Sequence, residues 1–170
     1  SVTWVNTAGR PTFELTSVDG ATHLEQRDTA DQQRVWPQRF GVQSTAASSE
    51  PVMRISMQQA QTVLPDSLAD NTEELILNAD GFGYGLFPAS LSATESWQRL
   101  SSLQVATLLI KLHEQMLETD APSPEAYLPR LLDIVGNSDD QLLLDLAIGQ
   151  AGHIYWDLLN EPTRQSLAAD

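Results

Sequence analysis

Apolar residues return at every second position in the first half of the chain and at every third or fourth in the second half, so two architectures are predicted in series. Phe13 and Leu15 alternate with Thr12, Glu14 and Thr16, and Met53, Ile55 and Met57 alternate with Arg54 and Ser56, placing one face of each segment inward. VTWV, TFELT, THLEQ, RVWPQRFGVQ, PVMRISM, ELILN and YGLF read as about seven short strands, the number of a small two-sheet sandwich of Ig-like size. NTAGRP and SVDG divide the first three, with Gly9 and Gly20 free to take positive φ and Pro11 presetting a turn. Val35, Phe40 and Val42 are expected in the core, and Pro37 at an edge or bulge.

After Pro88 the period lengthens. Between Ser101 and Glu118, the positions Leu103, Ala106, Ile110 and Leu117, with Leu109 and Leu112 beside them, predict a helix with a one-sided apolar stripe. Ser123, Pro124 and Glu125 predict the start of a second helix, which Pro129 delays or kinks and which Gly136 and Asn137 end through a left-handed residue. Ser138 with Gln141 suggests a capping box for a third, aided by Asp139 and Asp140 at the positive end of its dipole. Leu143, Ala147, Ala151, Ile154 and Leu158 continue at helical spacing, and Gly149 and Gly152 suggest close packing against a neighbour. NEPTRQSL begins a further helix, expected to be cut off at Asp170. The predicted class is α+β with strands first: an antiparallel Ig-like β-sandwich over residues 1–88, then a partial helical bundle or solenoid over 89–170.

Between the two lies LILNADGFGYGLFP. Gly81, Gly83 and Gly85 lack the third glycine of the dinucleotide fingerprint, whose place Leu86 takes; no G-K-[ST] is present, and NADG lacks the alternating oxygen ligands of a calcium loop. Turn chemistry predicts a hairpin in which Ala79, Asp80 and Gly81 reverse the chain and Tyr84 and Phe87 begin the return strand.

Charge narrows the partners. Nine Lys and Arg against 23 Asp and Glu give a formal charge of -14, which repels nucleic acid and anionic lipid surfaces. No cysteine is present, which fits a cytoplasm or a periplasm and leaves the choice open. No apolar run has the length of a membrane span.

Catalytic candidates are sparse. His113 and Glu114 begin a His-Glu-x-x-His pattern, but Leu117 occupies the second ligand position, so a surface histidine beside a solvated acid is the simpler reading. His23 and His153 have no partner at metal spacing, no G-x-S-x-G elbow is present, and Asp19, Asp139 and Asp140 are explained by turns and caps. Trp4, Trp36, Trp97 and Trp156 read as core or junction anchors. No catalytic, cofactor-binding or metal-binding residue is assigned within the chain.

Taken in order, these segments resemble part of the aminopeptidase N family of zinc peptidases. ELILNADGFGYGLF is similar to the stretch that closes that family's β-sandwich, L-N-x-D-G-x-G-Y, with Leu77, Asn78, Asp80, Gly81, Gly83 and Tyr84 in register. Leu24 to Arg27 resembles the family's Q-x-R/F strand, and Trp36-Pro37 its later W-x-x-P stretch, with Pro37 directly after the Trp here. LSSLQVATLLIKL and AYLPRLLDIVG resemble the start of its C-terminal helical domain. Two departures stand out: Gly83-Tyr84-Gly85-Leu86-Phe87 where the family has G-Y-Y-R-V, and Gln104 and Lys111 where it has Asp or Arg.

The resemblance implies a bridging sandwich and the first helices of a cap. The family's zinc ligands, general-base Glu and Gly-x-Met-Glu-Asn motif belong to an earlier domain, and none maps onto a residue here. The implied partners are neighbouring domains of the parent peptidase, and zinc is implied for that parent and not for this chain. The alternative is a free-standing Ig-like module with a helical appendage that recognises a protein or glycan through its loops. A bridging piece is expected to expose apolar surface where neighbours would sit; a complete module is not.

Overall fold

The computed structural model describes residues 9–30, 32–45, 52–70 and 72–167. The VTWV segment, Trp4 and the last residues of the chain lie outside them. The chain divides into two compact units, Ser1–Leu100 and Ser101–Asp170. Strands belong to the first and the long helices to the second, which makes the class mixed α+β.

Among the described residues, the first unit holds two antiparallel three-stranded sheets. In one, β1 (Pro11–Val18) pairs with β2 (Ala21–Asp28), which pairs with β5 (Gln61–Val63). In the other, β3 (Gln38–Ser44) is central between β4 (Met53–Met57) and β6 (Leu75–Leu77). A short helix, α1 (Asp66–Ala69), follows β5, and single turns of 3-10 helix lie at Thr72–Glu74, Leu91–Thr94 and Trp97–Arg99. Both β5 and α1 are additional to the elements expected from periodicity.

The β1–β2 hairpin turns on Asp19 and Gly20, both at positive φ, the two-residue geometry that matches strand twist. Register then puts Phe13 opposite Gln26 and Leu15 opposite Leu24. Phe13 and Leu24 of one sheet and Phe40, Val42, Ile55, Met57, Leu75 and Leu77 of the other share a buried cluster closed by Phe87. Phe13 stacks on Phe87 with centroids 4.1 Å apart, and Phe40 meets Phe87 edge-on at 4.9 Å. Pro37 stands just before β3, where it removes no ladder donor.

The second unit contains α2 (Ser102–Thr119), α3 (Pro124–Asn137), α4 (Gln141–His153), a π-helical segment at Ile154–Leu158, and α5 (Glu161–Leu167). A capping box of Ser101 and Gln104 starts α2. The buried side of α2 is Val105, Leu108, Leu109, Leu112 and Met116, whereas Leu103, Ile110 and Leu117 of the expected stripe face outward. Both sides of this helix are apolar, so periodicity alone could not choose between them.

Three terminus expectations are corrected. Helix α3 starts at its Ser123 cap and not late at Pro129, which lies inside it, and it ends with extended Ser138 donating its N–H to the Ile134 carbonyl, without a left-handed residue at Gly136 or Asn137. The cap of α4 is Asp140, not Ser138: Asp140 accepts from the amides of Leu142 and Leu143 and also from the Ser102 hydroxyl, while Ser138 accepts from the Asp140 amide. Among the described residues, a Cβ at Gly149 or Gly152 would meet nothing within 4 Å, so no described neighbour packs closely on these glycines.

Candidate functional site

The glycine turn after β6 is held by side-chain bonds to its own backbone. Leu77 pairs with Val42, and Ala79 donates to the Gly41 carbonyl at 2.8 Å, so the chain leaves β6 still attached to β3. Asn78 takes a φ of 54°, and its side chain brackets the loop, accepting from the Gly83 amide at 2.6 Å and donating to the Gly83 carbonyl at 3.0 Å. Asp80 accepts from the Phe82 amide at 3.2 Å. Gly81, at φ 73°, supplies the left-handed step.

The expected hairpin does not form. Residues 84–87 do not return along β6; Leu86 forms a parallel bridge with Thr12 of the other sheet, exchanging bonds with Pro11 and Phe13 at 2.9 and 2.8 Å. The turn therefore carries the chain from one sheet to the other. Gln38 holds the crossing from below, accepting from the Tyr84 amide at 2.8 Å and donating to its carbonyl, and the Tyr84 hydroxyl donates to the Gly9 carbonyl. Gly85 sits at φ 139° with Pro11 O and the Phe13 ring 2.6 Å from where a Cβ would lie, so no larger residue fits. The side-chain oxygens that a phosphate or metal loop would present are committed to backbone amides here. One exception is Asp80 Oδ2, buried without a hydrogen bond and 3.9 Å from Arg54.

A second polar junction joins the other residues of the resemblance. Gln26 in β2 is buried; its Oε1 accepts from the Trp36 amide at 2.9 Å and its Nε2 donates to the Gln59 carbonyl at 3.0 Å. Asp28, ending the same strand, accepts from the amides of Ala30, Gln32 and Arg34, and the Arg34 guanidinium meets it at 2.7 Å through both Nε and Nη2. Arg34 also lies 5.0 Å over the Trp36 ring. The Arg34 guanidinium first, then the backbone donors, hold the Asp28 carboxyl well below the ordinary carboxylate range.

Of the acid-base candidates, Asp19 is in the β1–β2 turn of the first unit, and Asp139 and Asp140 flank the start of α4 in the second. Trp36 and Trp97 are buried as anchors, but Trp156 is 70% exposed. It borders a groove of about 410 Å³ lined mainly by Leu128, Leu132, Ile148, Tyr155 and Leu167. Among the described residues, no group of three or more His, Asp and Glu is placed to hold a metal ion.

The structure does join two residues that spacing had left apart. His113 Nε2 of α2 lies 3.0 Å from His153 Nδ1 of α4, with the rings at 67°. Burial first, then the like charge of His153, pushes the His113 imidazole down from its ordinary value. Nearby, the buried Tyr127 hydroxyl donates to Gln150 Oε1 at 2.7 Å or to the Leu109 carbonyl at 2.9 Å, and Gln150 Nε2 donates to the same carbonyl. Burial raises the Tyr127 phenol far above its ordinary value, so it stays protonated and donates.

No protein-family model matches the sequence, and no curated protein matches it. No helix among the described residues is long and apolar enough to cross a membrane.

Proposed function

We propose that the chain is a non-catalytic, structural portion of a zinc-dependent aminopeptidase of the aminopeptidase N family, which releases N-terminal residues from peptides. In this reading the first unit is an Ig-like bridging sandwich, and the helical unit begins the cap that is set over an active site carried elsewhere in the parent.

The observation that carries the reading is the use made of the residues that match L-N-x-D-G-x-G-Y. Asn78, Asp80, Gly81, Gly83 and Tyr84 each hold backbone in place, and together they stitch two sheets around Phe87. A pattern spent on stitching belongs to a support. The helical unit adds to this, because Leu103, Ile110, Leu117, Leu132, Ile148 and Trp156 all present apolar surface outward, as expected of helices covered by further helices. Closure of such a cap would exclude water and restrict entry to the catalytic cleft.

The test is zinc-dependent turnover of alanyl and leucyl anilides by the purified chain. No turnover above the zinc-only blank is expected, and saturable turnover abolished by a chelator would overturn the proposal.

A further inference from the structure

We propose that His113 and His153 form a binding site for one divalent transition-metal ion of the copper, nickel or zinc class, with water completing its coordination. This site is separate from the catalytic zinc of the proposed parent and does not depend on that reading.

The geometry points to it. Two imidazole nitrogens bonded to one ion at about 2.0–2.1 Å, with an angle of roughly 90–110° between them, stand roughly 2.9–3.4 Å apart. His113 Nε2 and His153 Nδ1 are already 3.0 Å apart, within that range. The rings must turn until both lone pairs converge on one point and the ion replaces the proton they share. Both side chains are half-buried, which leaves an open side for water ligands.

The backbone behind each ligand is fixed. Leu109, one turn before His113, offers its carbonyl to Tyr127 and Gln150, and Gln150 lies one turn before His153. That buried junction locks α2 to α4 beside the pair, so the ligands are preorganised before an ion arrives. Imidazole nitrogen selects borderline transition cations over magnesium and calcium, which take oxygen ligands.

Titration of the whole 170-residue chain with Cu²⁺, Ni²⁺ and Zn²⁺ by calorimetry, with Mg²⁺ as control, tests the site. One ion per chain is expected, tightest for Cu²⁺, with a rise in Tm that Mg²⁺ does not give. His113→Gln and His153→Gln should each weaken binding by about tenfold or more. Unchanged affinity in both variants would place the ions on the acidic surface and overturn the proposal. A direct readout on the unaltered chain guards against misfolded variants. Substoichiometric Cu²⁺ should broaden the imidazole resonances of His113 and His153 and spare His23; broadening of all three alike, or of none, would equally overturn it.

Discussion

At the scale of single residues, the glycines separate into two kinds, and substitution should move stability in opposite directions. Gly85→Ala must place a methyl group 2.6 Å from Pro11 O at a φ of 139°, so it should destabilise by about 3 kcal/mol or more. Gly149→Ala adds a methyl group in open space on α4 and should stabilise by up to about 1 kcal/mol through helix propensity. Urea unfolding of the two variants beside the wild type checks both signs. Asp28 supplies a pH test. Its folded carboxyl is held below the unfolded value of about 3.9, so the stability it contributes is present above that value and is lost as pH falls through the folded one. In a series of urea midpoints, Asp28→Asn should be less stable than wild type at neutral pH, with the difference shrinking below about pH 4. A constant difference down to the lowest pH would contradict the role of the Arg34 pair.

At the scale of elements, the sidedness of α2 is the sharpest claim. Leu109→Ala empties a fully buried site and should cost about 2–5 kcal/mol, whereas Leu103→Ala, at a 68% exposed position, should change stability by no more than about 0.5 kcal/mol. Equal costs in thermal unfolding would mean that the outward side is covered in solution. Tyr127→Phe should cost about 1–3 kcal/mol, because it strips a donor from a buried network joining α3 to α2 and α4 while keeping the ring. These elements were unequally legible. Alternation made β1 and β4 plain, since Phe13 and Leu15, or Ile55 and Met57, stand one residue apart on a face. The three-residue β5 offered no alternation to read, and α1 is a single turn. For α2 the helix was plain but its inner side was not, because Leu103, Ile110 and Leu117 are as apolar as Leu108, Leu109 and Leu112. Covering helices would explain why.

At the scale of the whole molecule, the features that relate distant segments were the least legible. Nothing local in GFGYGLF tells whether Leu86 pairs with its own neighbour β6 or with Pro11 and Phe13 of another sheet; that choice rests on backbone bonds across more than seventy residues. The His113–His153 contact likewise joins residues separated by 40 positions. By contrast, the change from period two to period three or four announced the order of strands before helices, because that order is local information repeated many times. The central claim is that the turn and both units are supporting structure within a larger zinc aminopeptidase. Sequencing the reading frame upstream of Ser1 tests it most directly. The account predicts a His-Glu-x-x-His segment with a further Glu some twenty residues on, in frame with this chain; an upstream frame that closes without that segment would contradict it.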